Sequence, residues 1–529
     1  MGPQNLYFRI AQQLQFWACV VIAGAMPFSN LFMSLGMFVL AGSVIIQNFF
    51  ATHRASWKQN MRQNMQRLGI VPMLALFALM LIGMTYSEEL EYALWDLKMK
   101  LPLFVIPMSF LFGRTFHETE RRRIIGVFIL STAIACTFCL ASYLITPSKL
   151  MHDARHISMF ISHIRFSMMI ILAAALLFTS AWSRPFGKAL TMLLLALFGV
   201  FIYLASSITG LVLIVGWMAW GAFYWIRGTD QNKRIRVAAM TSLIGIFALG
   251  IFWIARSYTS YFDVHPLTNA TRSAGGEPYA DFQDYPLIEN GHYVMEGVAW
   301  SELYRCWSRR SAIAPDSLDG GGHLLKGTLI RYLGNQGLLK DSTGIQQLSD
   351  IDISNIEAGL TQPDIQLGLN SRLNKVWFEW SNYKAGGNTS GHSVLQRVEF
   401  LHAASFIIRQ HPLFGVGTGD VAHAFSEAYD ALGSSLDQKH RLRAHNQYLT
   451  LWISAGILGL IALLFWLYQI FSAASWMPNA RAALCIIVTL SFLTEDTLET
   501  TAGVVFVSFF AAFFADTLSP NTASLPQQE

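Results

Sequence analysis

Long apolar runs, separated by short polar segments, occupy both ends of the 529-residue chain. Most runs reach about 18 residues, enough for a helix to cross the roughly 30 Å hydrocarbon core of a bilayer. The pattern therefore predicts about twelve membrane-spanning helices. They are expected near residues 10–27, 31–49, 69–86, 101–113, 123–146, 165–182, 190–208, 210–226, 237–256, 447–470, 480–497 and 503–517. The fourth span is short, and the amphipathic stretch LEYALWDLKMK before it is a candidate extension.

Lys and Arg in the short loops are concentrated on the side of the N-terminus. Because cytoplasmic loops carry an excess of these residues, both termini are predicted to be cytoplasmic. The predicted fold class is an all-α polytopic membrane protein with about 12 transmembrane helices. Residues 1–256 are expected to form helices 1–9, residues 447–517 helices 10–12, and residues 518–529 a cytoplasmic tail.

One connection is far longer than the others and lies on the outer side. Residues 257–446 are polar and rich in turns, but stretches such as DISNIEAGL and LQRVEFLHAASFIIRQ place apolar residues near a 3.6-residue period. This loop is therefore predicted to be a mostly helical subdomain. Loops of such length are usually functional, so the chemistry is expected where this loop meets the membrane.

Composition narrows the class of protein. Hydrophobic residues make up 53% of the chain and charged residues only 13%, against about 25% charged residues in soluble domains. The formal charge of +4 is too small to indicate a nucleic-acid partner. Four of the five cysteines fall in apolar spans, which argues against a disulfide framework. The histidines show no metal-binding spacing, so neither a metal ion nor a cofactor is predicted.

Candidate chemistry lies in residues 396–420, QRVEFLHAASFIIRQHPLFGVGTGD, and in the following RLRAHNQYL. Arg397 opens a predicted helix that ends at Pro412, and a turn of small residues follows. His445 and Asn446 then stand at the beginning of the tenth span. Taken alone, the glycines are typical of a turn, and His445–Asn446 is equally typical of a solvated helix cap.

Taken together, the HPLFGVGTG turn, the arginine before it and AHNQYLTLWISAGILGL after it resemble the shared module of O-antigen ligases and O-antigen polymerases. The layout, with one large periplasmic loop before the tenth span, is similar to the ligases in particular. The resemblance implies a GT-C-like glycosyltransferase of the bacterial inner membrane. It also implies a glycan donor linked to undecaprenyl diphosphate and an acceptor hydroxyl on the periplasmic face, with no nucleotide sugar and no metal ion.

The residue chemistry agrees with such a donor. Cleavage of the sugar–phosphate bond leaves negative charge on the diphosphate, and the arginine fork binds phosphate oxygens in pairs while staying charged. A neutral histidine can accept the proton of an attacking hydroxyl near pH 7. Arg397 is thus predicted to bind the diphosphate and His445 to activate the acceptor.

A second cation is expected to bind the donor diphosphate. His163 and Arg165 begin the sixth span, where Arg165 is the candidate and His163 a supporting residue. Snorkelling of a charged side chain to the interface is the alternative explanation. The family usually carries an arginine between the seventh and eighth spans, where this chain has Ile208. Arg165 is predicted to supply that missing charge.

Further candidates flank these residues. Arg441 and Arg443 are predicted to attract the anionic donor, or to be ordinary loop arginines. Glu495 and Glu499 lie near the periplasmic end of the eleventh span. They are candidates for binding acceptor hydroxyls or for pairing with the arginines, or they form a simple polar turn. Asn446 is a candidate supporting residue.

The predicted function is O-antigen ligation, with lipid A–core as the acceptor and the lipid bilayer as a partner. A polymerase, or a protein O-oligosaccharyltransferase using the same donor, is the nearest alternative. A transporter or flippase for lipid-linked sugars is the alternative from another class. A transporter would have charged residues deep within several spans, or broken helices near the membrane midplane.

Overall fold

A computed structural model of the chain describes residues 3–50, 70–145, 157–178, 186–205, 207–227, 233–281, 286–363, 368–473 and 480–515. Within these ranges the chain is mainly helical, with one small hairpin and longer irregular segments such as residues 263–281 and 308–324. The hairpin pairs Ile288–Glu289 (β1) with His292–Tyr293 (β2) in antiparallel register. The all-helical class predicted from the sequence is confirmed.

Ten helices precede the long loop in the described part of the chain. They are Pro3–Ala25 (α1), Asn30–Phe49 (α2), Ile70–Met84 (α3), Leu90–Lys100 (α4), Pro102–Phe112 (α5), Glu118–Ile145 (α6), His163–Phe178 (α7), Gly187–Ala205 (α8), Ile208–Arg227 (α9) and Lys233–Phe262 (α10). The stretch LEYALWDLKMK forms α4, which ends one residue before α5. Pro102 separates the two helices because proline has no N–H to continue the hydrogen-bond ladder.

The loop forms a helical subdomain with its own apolar core. Its helices are Trp300–Trp307 (α11), Leu325–Asn335 (α12), Ser342–Gln347 (α13), Asp350–Glu357 (α14), Gly368–Lys384 (α15), Leu395–Gln410 (α16) and Val421–Ala431 (α17). Trp307 and Tyr332 are among the largest fully buried side chains of that core. The two stretches predicted to be amphipathic helices correspond to α14 and α16.

Three helices follow the subdomain: Gln447–Ala473 (α18), Ala480–Thr494 (α19) and Thr501–Ala515 (α20). Every residue of α20 from Ala502 onward is buried, as expected for a helix that is apolar on all sides. It packs against α5 and also contacts α2, α3, α4 and α7. The short turn between α19 and α20 is buried, and Thr497 and Leu498 have no exposed surface.

Five helices are long and apolar enough to cross a membrane, judged by length and composition over the described residues. They are Asn30–Phe49, Glu118–Ile145, Gly187–Ala205, Met240–Phe262 and Gln447–Phe471. Shorter apolar helices include α3, α7, α19 and α20. These features support a helical membrane protein. The count of twelve spans and the periplasmic side of the long loop stay predictions.

Candidate active site

Four residues named from the sequence meet beside the N-terminal end of α18. Glu495 lies at their centre, and its Oε1 accepts a hydrogen bond from Nη2 of Arg397 at 2.6 Å. Its Oε2 lies 3.6 Å from Nδ1 of His445 and 3.7 Å from Nη1 of Arg165. Three distant parts of the sequence thus bring two guanidinium groups and an imidazole to one carboxylate. We call these four residues the Glu495 cluster.

Glu495 is almost completely buried, immediately after the last residue of α19. Burial alone would raise the pKa of its carboxyl group. The contact with His445 and the charges of Arg165 and Arg397 outweigh burial and lower that pKa. Glu495 is therefore ionised at neutral pH. One negative charge then faces two permanent positive charges, so the cluster can accept a further anion.

His445 has a backbone conformation that side-chain-bearing residues rarely adopt. Its φ is +47°, in the left-handed region that costs about 1–2 kcal/mol. Its N–H donates to Oδ2 of buried Asp496 at 3.1 Å, and Oδ1 of Asp496 accepts from the Thr450 hydroxyl at 2.8 Å. The imidazole also packs on Phe400, with 5.5 Å between ring centroids. These contacts hold the strained residue with Nδ1 toward Glu495.

Asn446 caps α18. Its Oδ1 accepts a hydrogen bond from the N–H of Leu449 at 3.1 Å, which is the usual N-cap contact. Its side-chain amide donates to the carbonyl oxygen of Leu493 at 3.1 Å. The residue therefore both begins α18 and ties it to α19. These contacts favour the helix-cap interpretation for Asn446, whereas its neighbour His445 reaches the Glu495 cluster.

The glycine turn fills a break in α18. Gly456 has non-helical angles (φ 65°, ψ −164°), and the N–H of Ile457 donates to the carbonyl of Pro412 at 3.1 Å. The carbonyl of Ile453 instead accepts from the N–H of Val416 at 2.8 Å. The backbone groups left by the break are thus satisfied by the turn.

Glycine is required on both sides of this contact. A Cβ at Gly415, where φ is +72°, would lie 2.4 Å from the carbonyl oxygen of Ile453. A Cβ at Gly456 would lie 2.0 Å from the carbonyl oxygen of Leu413. The turn is therefore a structural element that fixes α16 and α17 against α18. This agrees with the interpretation of the glycines as a turn.

Arg165 reaches the cluster from the first turn of α7. Its Nη2 contacts the carbonyl oxygen of Asp496 at 3.4 Å and its Nη1 contacts Oγ of Ser162 at 3.5 Å. A Cβ at Gly210 would lie 3.2 Å from Oγ of Ser167, so the beginnings of α7 and α9 are adjacent. Arg165 and Ile208 therefore lie in the first turns of two adjacent helices.

A cavity of about 630 Å³ opens beside Arg165. Several of its lining residues are polar, and His163 is one of them. The lining residues are Asn30, Ser158, Met159, Phe160, Ile161, Ser162, His163, Arg165, Thr500, Thr501 and Ala502. The space adjoins the Glu495 cluster through Arg165, and is large enough for a phosphate or sugar group.

Arg443 and Glu499 pair in a second cluster. Glu499 accepts hydrogen bonds from Arg443, and its Oε1 lies 2.7 Å from Nζ of Lys100. Lys100 also bonds Oδ2 of Asp96 at 2.7 Å, and Arg443 lies 3.9 Å from Oδ1 of Asp96. We call these four residues the Glu499 cluster. Lys100 and Asp96 were missed as site residues, although their i, i+4 spacing on an amphipathic stretch is the signal of a helical ion pair.

Arg441 lies in neither cluster. Its Nη1 bonds Oδ1 of Asp430 at 2.6 Å, its Nε donates to the carbonyl of Leu436, and its guanidinium lies over the ring of Tyr429. These contacts support the ordinary loop arginine that the sequence left open. The structure thus brings together Arg165, Arg397, His445 and Glu495, places Arg443 and Glu499 beside them, and leaves Arg441 apart.

Comparison with curated proteins gives no match. A family model described as O-antigen ligase matches residues 355–464, a segment that contains Arg397, the glycine turn, His445 and the break at Gly456. Over this part of its length the chain is similar to the O-antigen ligase family.

Proposed function

We propose that the chain transfers a glycan from undecaprenyl diphosphate to an acceptor hydroxyl of lipid A–core at the periplasmic face of the inner membrane. The match of residues 355–464 to the O-antigen ligase family model supports a glycosyltransferase of the ligase or polymerase type. The observation that carries the finer proposal is the convergence of Arg165, Arg397 and His445 on Glu495.

The donor diphosphate would bind to the two arginines. Their guanidinium groups share one carboxylate in this structure, so their remaining N–H groups can form bidentate bonds to phosphate oxygens. Arg397 is 38% exposed and therefore accessible from the surface. The cavity beside Arg165 offers room for the diphosphate or the first sugar. Arg165 would thus replace the family arginine that is missing at Ile208.

In the transfer step, the acceptor oxygen forms a bond to the anomeric carbon of the donor glycan. The bond between that carbon and the diphosphate oxygen breaks, and its electron pair leaves with the diphosphate. The acceptor proton passes to His445. Arg165 and Arg397 stabilise the negative charge that develops on the leaving diphosphate, as positioned cations do at other transferring phosphoryl groups.

Glu495 would orient the histidine. Because Nδ1 of His445 faces Oε2 of Glu495, the carboxylate favours a proton on Nδ1 and leaves Nε2 as the atom that accepts the acceptor proton. The same carboxylate stabilises the imidazolium that results. In this proposal residues 257–446 form the periplasmic subdomain, and its part before residue 396 selects the acceptor.

One feature of the fold is compatible with a transporter, because α18 is interrupted at Gly456. Transporters use such breaks to expose backbone groups to an ion or substrate. Here the carbonyls of Ile453 and Ser454 accept hydrogen bonds from Val416 and Gly417. The break is therefore filled by the protein itself, which favours the enzyme.

The proposal is tested with the purified full-length protein in nanodiscs, given an undecaprenyl-diphosphate-linked glycan and lipid A–core. The wild type is expected to form glycan-linked lipid A–core in the presence of EDTA. The variant His445→Ala should lose about 10²–10⁴-fold in kcat, the usual contribution of a general base. His402→Ala, which removes an exposed histidine of α16, is the matched control.

Each other outcome has a definite meaning. Wild-type activity in folded His445→Ala would remove the histidine from the mechanism. Longer lipid-linked chains without product on lipid A–core would identify a polymerase, and a glycan on protein hydroxyls would identify an O-oligosaccharyltransferase. Movement of the donor across the bilayer without a new bond would favour the transporter.

A further inference from the structure

Lys100 is a buried cation at the end of α4, a helix outside the segment matched by the family model. Its side chain is only 3% exposed, and its ammonium group bonds both Asp96 and Glu499 at 2.7 Å. A buried ion needs such partners, because an unpaired charge inside a protein is strongly destabilising. Lys100 therefore fixes Glu499 to α4.

Glu499 is also bound from two other elements. Arg443, in the segment before α18, donates to its Oε2. Gln447, the first residue of α18, donates to its Oε1 at 3.4 Å, and the Gln447 side-chain oxygen accepts from the N–H of Leu498 at 2.7 Å. The Glu499 cluster thus joins α4, the segment before α18 and the turn between α19 and α20.

Two of these elements carry the reacting side chains of the proposed function. Arg443 precedes His445 by two residues, and Glu499 follows Glu495 by four residues on the same turn. Any shift of Glu499 therefore moves the carboxylate that orients His445, and any shift of Arg443 moves His445 directly. None of the contacts of Lys100 reaches Arg165, Arg397 or His445.

We propose that Lys100 is a positioning residue, which sets the distance between His445 and Glu495 by holding Glu499 and by neutralising Asp96 beside Arg443. The proposal rests on the proposed function. Without the ammonium group, Asp96 would lack its nearest cation, and Arg443, already 3.9 Å away, would be drawn toward it. His445 would move with Arg443.

The test compares three variants of the full-length protein in nanodiscs. Lys100→Met should lower kcat per folded molecule by about 10–100-fold, because a misplacement near 1 Å has effects of that size. The KM for the lipid-linked donor should change less than about threefold, since the arginines that bind it are untouched. Lys98→Met removes an exposed lysine of the same helix and should behave like the wild type.

The double variant Asp96→Leu/Lys100→Met controls for a folding defect in Lys100→Met. It leaves Arg443 and Glu499 as a neutral pair with no competing carboxylate. It should fold, and its kcat should lie between those of the wild type and Lys100→Met with KM unchanged. A loss confined to the amount of folded protein, with wild-type kcat in both variants, would overturn the positioning role.

Failure of the proposed function gives a different result. If the wild type forms no product from the lipid-linked donor, or if His445→Ala is fully active, the proposed chemistry is wrong. If the wild type is active and His445→Ala is inactive while both Lys100 variants keep wild-type kcat, only the positioning role is wrong.

Discussion

Two ion clusters flank one short turn, and they differ in charge balance and access. At Glu495 one carboxylate meets two guanidinium groups and an imidazole, and the side chains of Arg397 and His445 are 38% and 31% exposed. At Glu499 two carboxylates meet two cations, and the Lys100 and Asp96 side chains are each 3% exposed. Two glutamates that are four residues apart, each paired with arginine, thus lie in clusters of different charge balance and exposure.

The difference indicates which cluster can bind a ligand. The Glu499 cluster is neutral by its own contacts, so an added anion would leave one group without a partner in a buried site. The Glu495 cluster has an excess of positive charge and an open side, so a phosphate group can join it without displacing a buried ion. Charge balance therefore distinguishes the structural cluster from the candidate reactive one.

The largest effect on stability is expected at Glu499. The change Glu499→Gln leaves Lys100 and Arg443 sharing Asp96 alone, and breaking a buried pair in this way costs about 3–5 kcal/mol. Thermal unfolding in detergent measures the loss. Glu427→Gln, at an exposed glutamate of α17, is the matched control. A variant as stable as the wild type would show that the Glu499 cluster is not structural.

The same pair predicts the direction of a pH effect. Burial would raise the pKa of Glu499, but the charges of Lys100 and Arg443 outweigh it and lower that pKa from 4.5 to about 2. A carboxyl group with a lowered pKa stabilises the fold fully above pH 4.5, and this contribution is lost as the pH falls toward 2. The difference in unfolding temperature between the wild type and Glu499→Gln should therefore narrow below pH 4.5.

At Arg397 we expect the opposite result, a large loss of transfer activity with a small loss of stability. Arg397→Ala removes a partly exposed guanidinium from buried Glu495, which keeps Arg165 and His445 as partners. Stability should therefore fall by less than in Glu499→Gln. Transfer should fall about 10²–10³-fold, the usual effect of removing a group that stabilises developing charge. Product formation and thermal unfolding are measured on the same sample.

Arg409→Ala gives the matched comparison, because Arg409 is an exposed arginine on the same helix. It should keep both activity and stability. If Arg397→Ala instead unfolds the protein and Arg409→Ala does not, the Glu495 cluster is structural like its neighbour, and the contrast between the two clusters disappears.

All four residues of the Glu495 cluster were named from the sequence, but only Arg443 and Glu499 of the Glu499 cluster. His445 and Arg165 could be found because each stands at the edge of an apolar span, where a charged residue calls for an explanation. Arg397 could be found because it opens the helix before the glycine turn. The break at Gly456 could not be found, because a glycine inside an apolar run also fits a continuous helix. Its cause is the glycine turn, some forty residues earlier, which donates hydrogen bonds to α18.

Lys100 and Asp96 were missed for a related reason. Their i, i+4 spacing predicts a pair on the surface of an amphipathic helix, and that pair is present. Its burial depends on Glu499 and Arg443, which reach α4 only in the folded chain. Local spacing therefore indicates the pair but cannot indicate the buried cluster. In the same way, Arg443 is two residues from His445 in the sequence but belongs to the other cluster.

The smallest effect is expected at Asn446, the N-cap of α18, which lies between His445 and Gln447 in the sequence. Asn446→Ala removes the N-cap acceptor for Leu449 and should cost about 0.5–2 kcal/mol. Asn446→Ser keeps a capping oxygen and should recover most of that loss. Transfer per folded molecule should stay within about threefold of the wild type in both variants, because the His445 backbone is held by Asp496. A large loss of transfer in stable Asn446→Ala would instead place the amide among the groups that contact the acceptor, and would extend the Glu495 cluster by one residue.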